Sequence, residues 1–335
     1  MGPPTCRTGR RRLPLPRSRD LALSAAATLL RDAPEKLWRR IGCVAYEDIG
    51  VASLEAVGLA TVALAGKRQR SALGGDWAVA SCIVAGLSRA AKCRAADDLL
   101  MVCELHPGHA EARAQLPHMT TRELIAIAVG RGTIEQRALA LWYALGTDRR
   151  PSALVSRIGE PRLVFDYLCE AGWPHSIVEV AREGFRRGGD MLCPIVALLS
   201  CEPREPSQIR DDDFPPETMI GGVPGWAMDI HTRDGRAAFA RFLDTDAPSA
   251  RWVRTNIRPA RRLPFFGHIV FRVESGLVVN RLRWPLADEL RRQGDVECSY
   301  PDSGDDTEIL RLTRADLPIL DEVRAAVVGS FPHAL

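Results

Sequence analysis

Leu37-Trp38-Arg39-Arg40-Ile41-Gly42-Cys43-Val44-Ala45-Tyr46-Glu47-Asp48-Ile49-Gly50 decides how this chain is read. Leu37, Ile41 and Val44 recur at i, i+4 and i+7, one buried face of a helix, while Arg39 and Arg40 point elsewhere. Pro34 suits the first turn of that helix. The helix closes on two adjacent carboxylates, Glu47 and Asp48, and then on Gly50. Adjacent residues at a helix end point in different directions, so the two acids do not form an acid/base pair by themselves. Glu47, Asp48 and Gly50 therefore read as a structural lock. One carboxylate is expected to satisfy loop or helix N-terminal amides and the other to pair with an arginine.

Outward from this stretch the text stays helical. Leu21 to Leu30 makes a short alanine-rich helix, and Ser53 is an N-cap for Leu54 to Leu64. Gly74-Gly75 breaks the chain, and Asp76 is expected to cap a helix from Trp77 to about Arg89. Residues 20–110 thus predict an antiparallel helical bundle with short loops, ending at His106-Pro107-Gly108-His109. A second helical layer over 111–201 follows from Thr121 to Val129, Ile134 to Leu145, Leu163 to Ala171, Ser176 to Arg187 and Met191 to Leu199. Residues 202–224 carry Glu202-Pro203, Asp211-Asp212-Asp213 and Gly221-Gly222, an ordered loop or linker. In 225–335, Arg233 to Leu243 reads as a helix capped by Thr232, and Leu317 to Val328 as the last helix. His268 to Glu274 and Leu277 to Trp284 read either as a β-hairpin around Ser275-Gly276 or as one helix interrupted by Gly276. The expected fold class is mostly α, with at most a small sheet.

The bulk numbers bound the rest. A chain of 335 residues, 46% hydrophobic and 26% charged, has material for a large core and suggests about two domains. The net charge of +3 excludes no partner. Arg7, Arg10, Arg11, Arg12, Arg17 and Arg19 crowd residues 1–19 with Pro14 and Pro16, a basic tail that is either solvated or binds phosphate non-specifically. No stretch reaches the roughly 20 apolar residues of a membrane helix, and the start does not read as a signal peptide. The nine cysteines are an odd number set mostly in apolar helical text, which points to reduced core residues and a cytoplasmic protein.

Leu21 to Ala52 can also be compared with a known family. Its alanine-rich helix, the Asp32-Ala33-Pro34 turn, the Leu37-Trp38-Arg39-Arg40 helix and Glu47-Asp48-Ile49-Gly50-Val51-Ala52 resemble the C-terminal helical region of the MgsA/RarA-type replication-associated recombination ATPases. In that family a Glu-Asp-Ile-Gly-Leu-Ala ending is followed by a later helix of the form A-x-A-x-x-x-x-L-A-x-x-P-K-S-N-A. Here Ala78 to Leu87, then Ser88 to Ala95, stand in its place; Lys92 matches the motif lysine, and Cys93 and Arg94 replace its Ser and Asn. The resemblance covers about the first third of the chain. It implies a clamp-loader-like collar and tetramerisation module that in the family sits beside an AAA+ motor at stalled replication forks. No such motor is written here. Gly66-Lys67 is a decoy, because Thr61 stands where a P-loop needs its first glycine and Arg68 where Ser or Thr must hold magnesium.

Several clusters carry candidate chemistry. Lys67, Arg68 and Arg70 lie in a basic loop, and Arg89, Lys92 and Arg94 end the next helix; if the bundle brings them together they form a phosphate-binding face for DNA. Met219 to Arg236 is glycine-rich and supplies Asp229, His231 and Asp234, a candidate acid/base or metal-dependent site, against which stands a packed loop with Asp229 or His231 satisfying backbone groups. Arg251 to Arg262, with Trp252, Phe265 and Phe266 interleaved, suits single-stranded nucleic acid or a core helix with a charged outer face. Cys103, His106 and His109 fit no common zinc spacing and read as a turn. The expectation is a non-catalytic, homo-oligomerising protein of DNA replication or repair. It has no ATPase activity, cofactor, metal or membrane association, and its partners are DNA, bound non-specifically, or a replication protein. The alternatives are an enzyme using Asp229, His231 and Asp234, and a protein–protein scaffold.

Overall fold

The computed structural model describes residues 19–147, 152, 154–204, 208–294 and 306–329. The basic tail read in residues 1–19 therefore lies outside the described residues, apart from Arg19. In chain order the helices are α1 (Arg19–Asp32), α2 (Pro34–Val44), α3 (Leu54–Ala63), α4 (Lys67–Ala72), α5 (Asp76–Arg89) and α6 (Ala95–Leu105). Then come α7 (Ala110–Gln115), α8 (Thr121–Val129), α9 (Ile134–Leu145), α10 (Pro161–Glu170), α11 (His175–Gly188) and α12 (Leu192–Ser200). The chain continues with α13 (Arg233–Phe242), α14 (Pro248–Asn256), α15 (Arg262–Val270), α16 (Pro285–Arg292) and α17 (Asp306–Gly329). The strands are β1 (Gln208–Arg210), β2 (Met219–Ile220), β3 (Val223–Pro224) and β4 (Arg281–Arg283). The fold is mostly α. Among the described residues no helix is long and apolar enough to cross a membrane.

The described chain divides into two compact units, one of residues 19–211 and 279–294 and the other of 212–278 and 306–329. The sequence suggests boundaries at 110, 201 and 224, with 202–224 as a linker; the described chain divides at 211/212 and 278/279. The physical reason is that 20–110 and 111–201 are not separate layers. Their apolar faces merge into one core that reaches from Ala22 in α1 to Leu290 in α16. At its centre Leu192 to Leu199 of α12 and Ala138 to Leu145 of α9 are buried on all sides.

Local chemistry explains where these helices begin. Thr120 and Thr133 each start a helix through a capping box, closed by Glu123 and Gln136 respectively. Ser53 accepts from the Ala56 amide as its N-cap. Asp76 differs from expectation: Gly75 precedes the helix, Asp76 is its first residue, and its carboxylate faces Arg70 at 2.7 Å. Lys67 to Ala72 is a helix and not a loop, since Gly66 at φ 122° turns the chain and releases it directly into α4.

In the larger unit β1 pairs antiparallel with β4, Ile209 opposite Leu282. The segment 277–284 thus does contain a strand, but its partner is β1, some 70 residues earlier in the sequence, and not 268–274. Those residues continue α15 into a π-helical turn, Phe271–Ser275, which Gly276 ends. The helical half of the interrupted-helix reading therefore holds up to Ser275, but the helix stops at Gly276 and does not resume, so neither reading describes the whole of His268 to Trp284. β2 and β3 form a second two-stranded ribbon in the smaller unit.

The smaller unit packs α13, α14, α15 and α17 around aromatic rings. Phe242 stacks on Phe266 at 4.9 Å between centroids, and Phe239 meets Phe266 edge-on at 5.5 Å. The last helix is longer than the Leu317 to Val328 segment, running through Pro318. Thr232 caps α13 by accepting from the Gly235 amide.

Candidate functional site

The Glu47–Gly50 stretch is a π-helical turn, Ala45–Ile49, appended to α2. Gly50 stops it at φ 50°, ψ −134°, a backbone region open to glycine alone. A Cβ there would lie 2.7 Å from the Cys93 carbonyl oxygen. On the other side the Cys93 amide donates to the Asp48 carbonyl at 2.8 Å. Arg94 closes the arrangement. Its guanidinium donates to the Asp48 carboxylate, reaches Glu47 at 3.2 Å and Asp97 at 3.4 Å, and its side chain is 10% exposed. Burial by itself would lower the Arg94 pKa; the carboxylates of Asp48, Glu47 and Asp97 outweigh it and hold the charge firmly. Both acids thus face the same arginine, where one was expected to serve main-chain amides. The constellation ties the end of α2 to the α5–α6 connection and leaves no free carboxylate for chemistry.

The six candidate phosphate-binding cations are not brought together. Lys67, Arg68 and Arg70 sit beside the N-terminal end of α5, while Arg89 is its last residue and Lys92 and Arg94 follow it, about 20 Å away along the helix. Three of them are also consumed internally. Arg70 is buried between Asp76, the Ala63 carbonyl and the face of Trp38. Lys92 is 1% exposed, and its ammonium donates to the carbonyls of Ser88 at 3.1 Å and Ala90 at 2.8 Å, groups left open by the end of α5. Arg94 belongs to the lock. Lys67, Arg68 and Arg89 remain exposed. Thr61, where a P-loop would need glycine, is buried within α3 and donates to the Val57 carbonyl.

The other candidates also resolve into structure. The buried Asp229 carboxylate accepts from the amides of His231 at 2.9 Å and Thr232 at 3.2 Å, an Asx turn leading into the Thr232 cap of α13. That is the packed-loop reading, and it removes Asp229 from a set with His231 and Asp234. Phe265 and Phe266 are fully buried and cannot take a base, and the half-buried Trp252 is stacked on Phe265. Arg254 and Arg262 donate to main-chain carbonyls of Thr245 and Ile257. Cys103 is buried with its thiol toward the Glu135 carbonyl, and His106 accepts from the Gly108 amide at 3.1 Å, as a turn requires.

A cavity of about 230 Å³ opens beside the π turn, between α3, α11 and α12. Its wall is largely apolar, from Val57, Ile177, Val180 and Val196, with Glu55, Ser176 and Tyr46 supplying polar atoms. The Tyr46 hydroxyl is already 2.7 Å from Thr61 Oγ1 and donates to the Val180 carbonyl at 2.9 Å, and burial drives its pKa well up. The space is below the roughly 300–1,000 Å³ of small-molecule sites and lacks convergent polar groups.

The helix Leu54–Ala63 is where the sequence places it, but it carries an exposed apolar face that the sequence reading does not name. Leu-Glu-Ala-Val-Gly-Leu-Ala-Thr-Val-Ala has apolar residues on every side, yet Leu59 and Val62 stand on one face at 59% and 50% exposure. The signal was legible, since such a helix is normally enclosed by protein. Compared with known proteins, the chain matches no family model, no curated sequence and no solved structure.

Proposed function

We propose that this protein is a non-catalytic helical module that self-associates and works in DNA replication or repair, a collar-like domain without an ATPase motor. The observation that carries the reading is the uncovered face of α3. Leu59 and Val62 are i, i+3 neighbours on an exposed face of α3, with the exposed Glu55 one turn before Leu59 at its edge. A second copy of the chain laid over this face gives α3 the all-round burial its composition suits. The link to DNA metabolism rests on the resemblance of Leu21–Ala52 and Ala78–Ala95 to the MgsA/RarA-type collar, whose role there is to hold a tetramer together. The non-catalytic character is supported by the candidate acids, Glu47, Asp48 and Asp229, each being spent on an internal partner. Of the six candidate cations, DNA contact falls to the exposed ones, Lys67 and Arg68 on α4 and Arg89 at the far end of α5.

Sedimentation velocity of the full chain tests the reading. The expected result is a nucleotide-insensitive multimer that dissociates when Leu59→Glu and Val62→Glu are combined, with the helical circular dichroism unchanged. A wild-type chain that stays monomeric at every concentration overturns it. DNA binding measured against salt tests the second part. Lys67→Ala with Arg68→Ala should reduce the slope of log K on log salt by about 1.8. An unchanged slope removes these residues.

A further inference from the structure

We propose that Cys169, His175 and Glu179 form a binding site for a divalent metal ion of the zinc class. Among the described residues they are the one trio of potential ligands whose donor atoms all lie within 4.8 Å of one another. They bring a sulfur, an imidazole nitrogen and a carboxylate oxygen to one point.

Two elements place them. His175 and Glu179 are i, i+4 on the first turns of α11 and so share a face. Cys169 is the penultimate residue of α10, and the turn between the helices points it at that face. The turn is well determined. Gly172 takes φ 85°, the Gly172 amide donates to the Cys169 carbonyl at 3.1 Å, and the Trp173 amide donates to that of Leu168 at 3.2 Å. Trp173 is buried below it, and Phe165 of α10 packs on Phe185 of α11 at 5.8 Å. The three ligands thus sit on rigid elements, as a metal site requires.

The side chains are available to an ion. Among the described residues the thiol of Cys169 is free and, like the His175 ring, makes no side-chain hydrogen bond; His175 is exposed, with Cys169 and Glu179 half-buried. Glu179 meets Arg182 at 3.2 Å, but Arg182 also pairs with Asp166 at 2.9 Å and stays compensated if Glu179 turns to an ion. Tetrahedral zinc, with bonds of about 2.0–2.3 Å, holds its ligands about 3.5 Å apart, so small rotations about the side-chain bonds close the set. Mixed S, N and O donors select zinc over magnesium or calcium, which demand oxygen. Binding displaces the thiol proton of Cys169 to solvent and leaves the fourth position to water.

The test is a Co²⁺ titration of the full-length chain after chelator treatment, followed by displacement with Zn²⁺. The expected result is one ion per chain, a thiolate-to-cobalt charge-transfer band in the near ultraviolet, tetrahedral d–d bands, and loss of both on adding zinc. Cys169→Ser should abolish the charge-transfer band. His175→Ala, at an exposed position, and Glu179→Gln, whose Arg182 partner keeps Asp166, should each weaken Co²⁺ binding by roughly ten- to a hundredfold. Cys82→Ser with Cys201→Ser, which removes two exposed thiols elsewhere, should leave the spectrum intact. No charge-transfer band in the wild type, a band that survives Cys169→Ser, or wild-type affinity in His175→Ala overturns the proposal.

Discussion

Arg70 lies over the indole of Trp38, its guanidinium carbon 4.1 Å from the ring centroid, and both side chains are buried although one is a cation. The ring face takes the charge from one side, Asp76 meets Nε at 2.7 Å, and the Ala63 carbonyl accepts from the guanidinium at 3.1 Å. An arginine in a basic sequence has become a core residue joining α2, α3, α4 and α5. Arg70→Ala is expected to destabilise the chain by about 2–3 kcal/mol, read as a fall in the urea midpoint with an unchanged slope. Arg70→Lys should recover little, since an ammonium neither stacks nor forks. If Arg70→Ala weakens DNA binding while leaving the midpoint in place, the internal role given to Arg70 is wrong.

Gly50 should resist substitution. Gly50→Ala places a methyl group 2.7 Å from the Cys93 oxygen on a backbone at φ 50°. Strain and collision together should cost about 3 kcal/mol or more. Differential scanning calorimetry checks this, and a melting temperature equal to wild type would contradict the lock.

Lys92 should make stability depend on pH. Burial pulls its pKa from the usual 10.5 down to about 8, against the opposing charges of Asp48 and Asp211. Below pH 8 the ammonium is charged in the folded and unfolded chain alike, and the burial cost is felt in full. Between pH 8 and 10.5 the unfolded chain holds the proton that the folded chain has released, so stability rises with pH. The rise is at most about 3 kcal/mol. Cys93, pushed by burial to about 11, acts in the opposite sense in the alkaline range. The difference between wild type and Lys92→Met isolates the lysine. Their unfolding free energies should diverge in favour of the wild type as pH climbs from 8 to 10.5, and parallel curves would refute the assignment.

Arg324 is the corresponding test for the smaller unit. It is wholly buried, paired with Glu274 at 2.9 Å and Asp321 at 2.7 Å, and its guanidinium carbon lies 5.7 Å from the centre of the Phe239 ring. Arg324→Ala leaves two buried carboxylates without their cation and should cost about 3–5 kcal/mol. Arg324→Met combined with Glu274→Gln and Asp321→Asn should restore much of that loss. Chemical denaturation of the three proteins decides it.

The helices were legible because their signals are local. Thr121 to Val129 and Ile134 to Leu145 have the bounds that periodicity gives them, and each is preceded by a threonine that closes a capping box. β4 was half legible. Its residues suggested a strand, but a strand is defined by its partner, and β1 stands far away in sequence. Cys169, His175 and Glu179 of the α10–α11 hairpin are near one another in sequence and were missed for a different reason, since Cys169 meets the i, i+4 pair only once the turn at Gly172 has folded.

By itself the sequence determined that the chain is mostly α, where most helices run, and that Gly66-Lys67 is no nucleotide loop. These depend on spacing, caps and residue type within a few positions. Only the tertiary structure decided the fate of the charges. Lys67, Arg68 and Arg89 face solvent, whereas Arg70, Lys92 and Arg94 are enclosed by Trp38, by main-chain carbonyls and by the Glu47–Asp48 turn. Side chains of one chemical kind, separated by only a few residues, ended in opposite environments. Desolvation depends on which distant groups surround a cation, and local sequence carries no record of that neighbourhood.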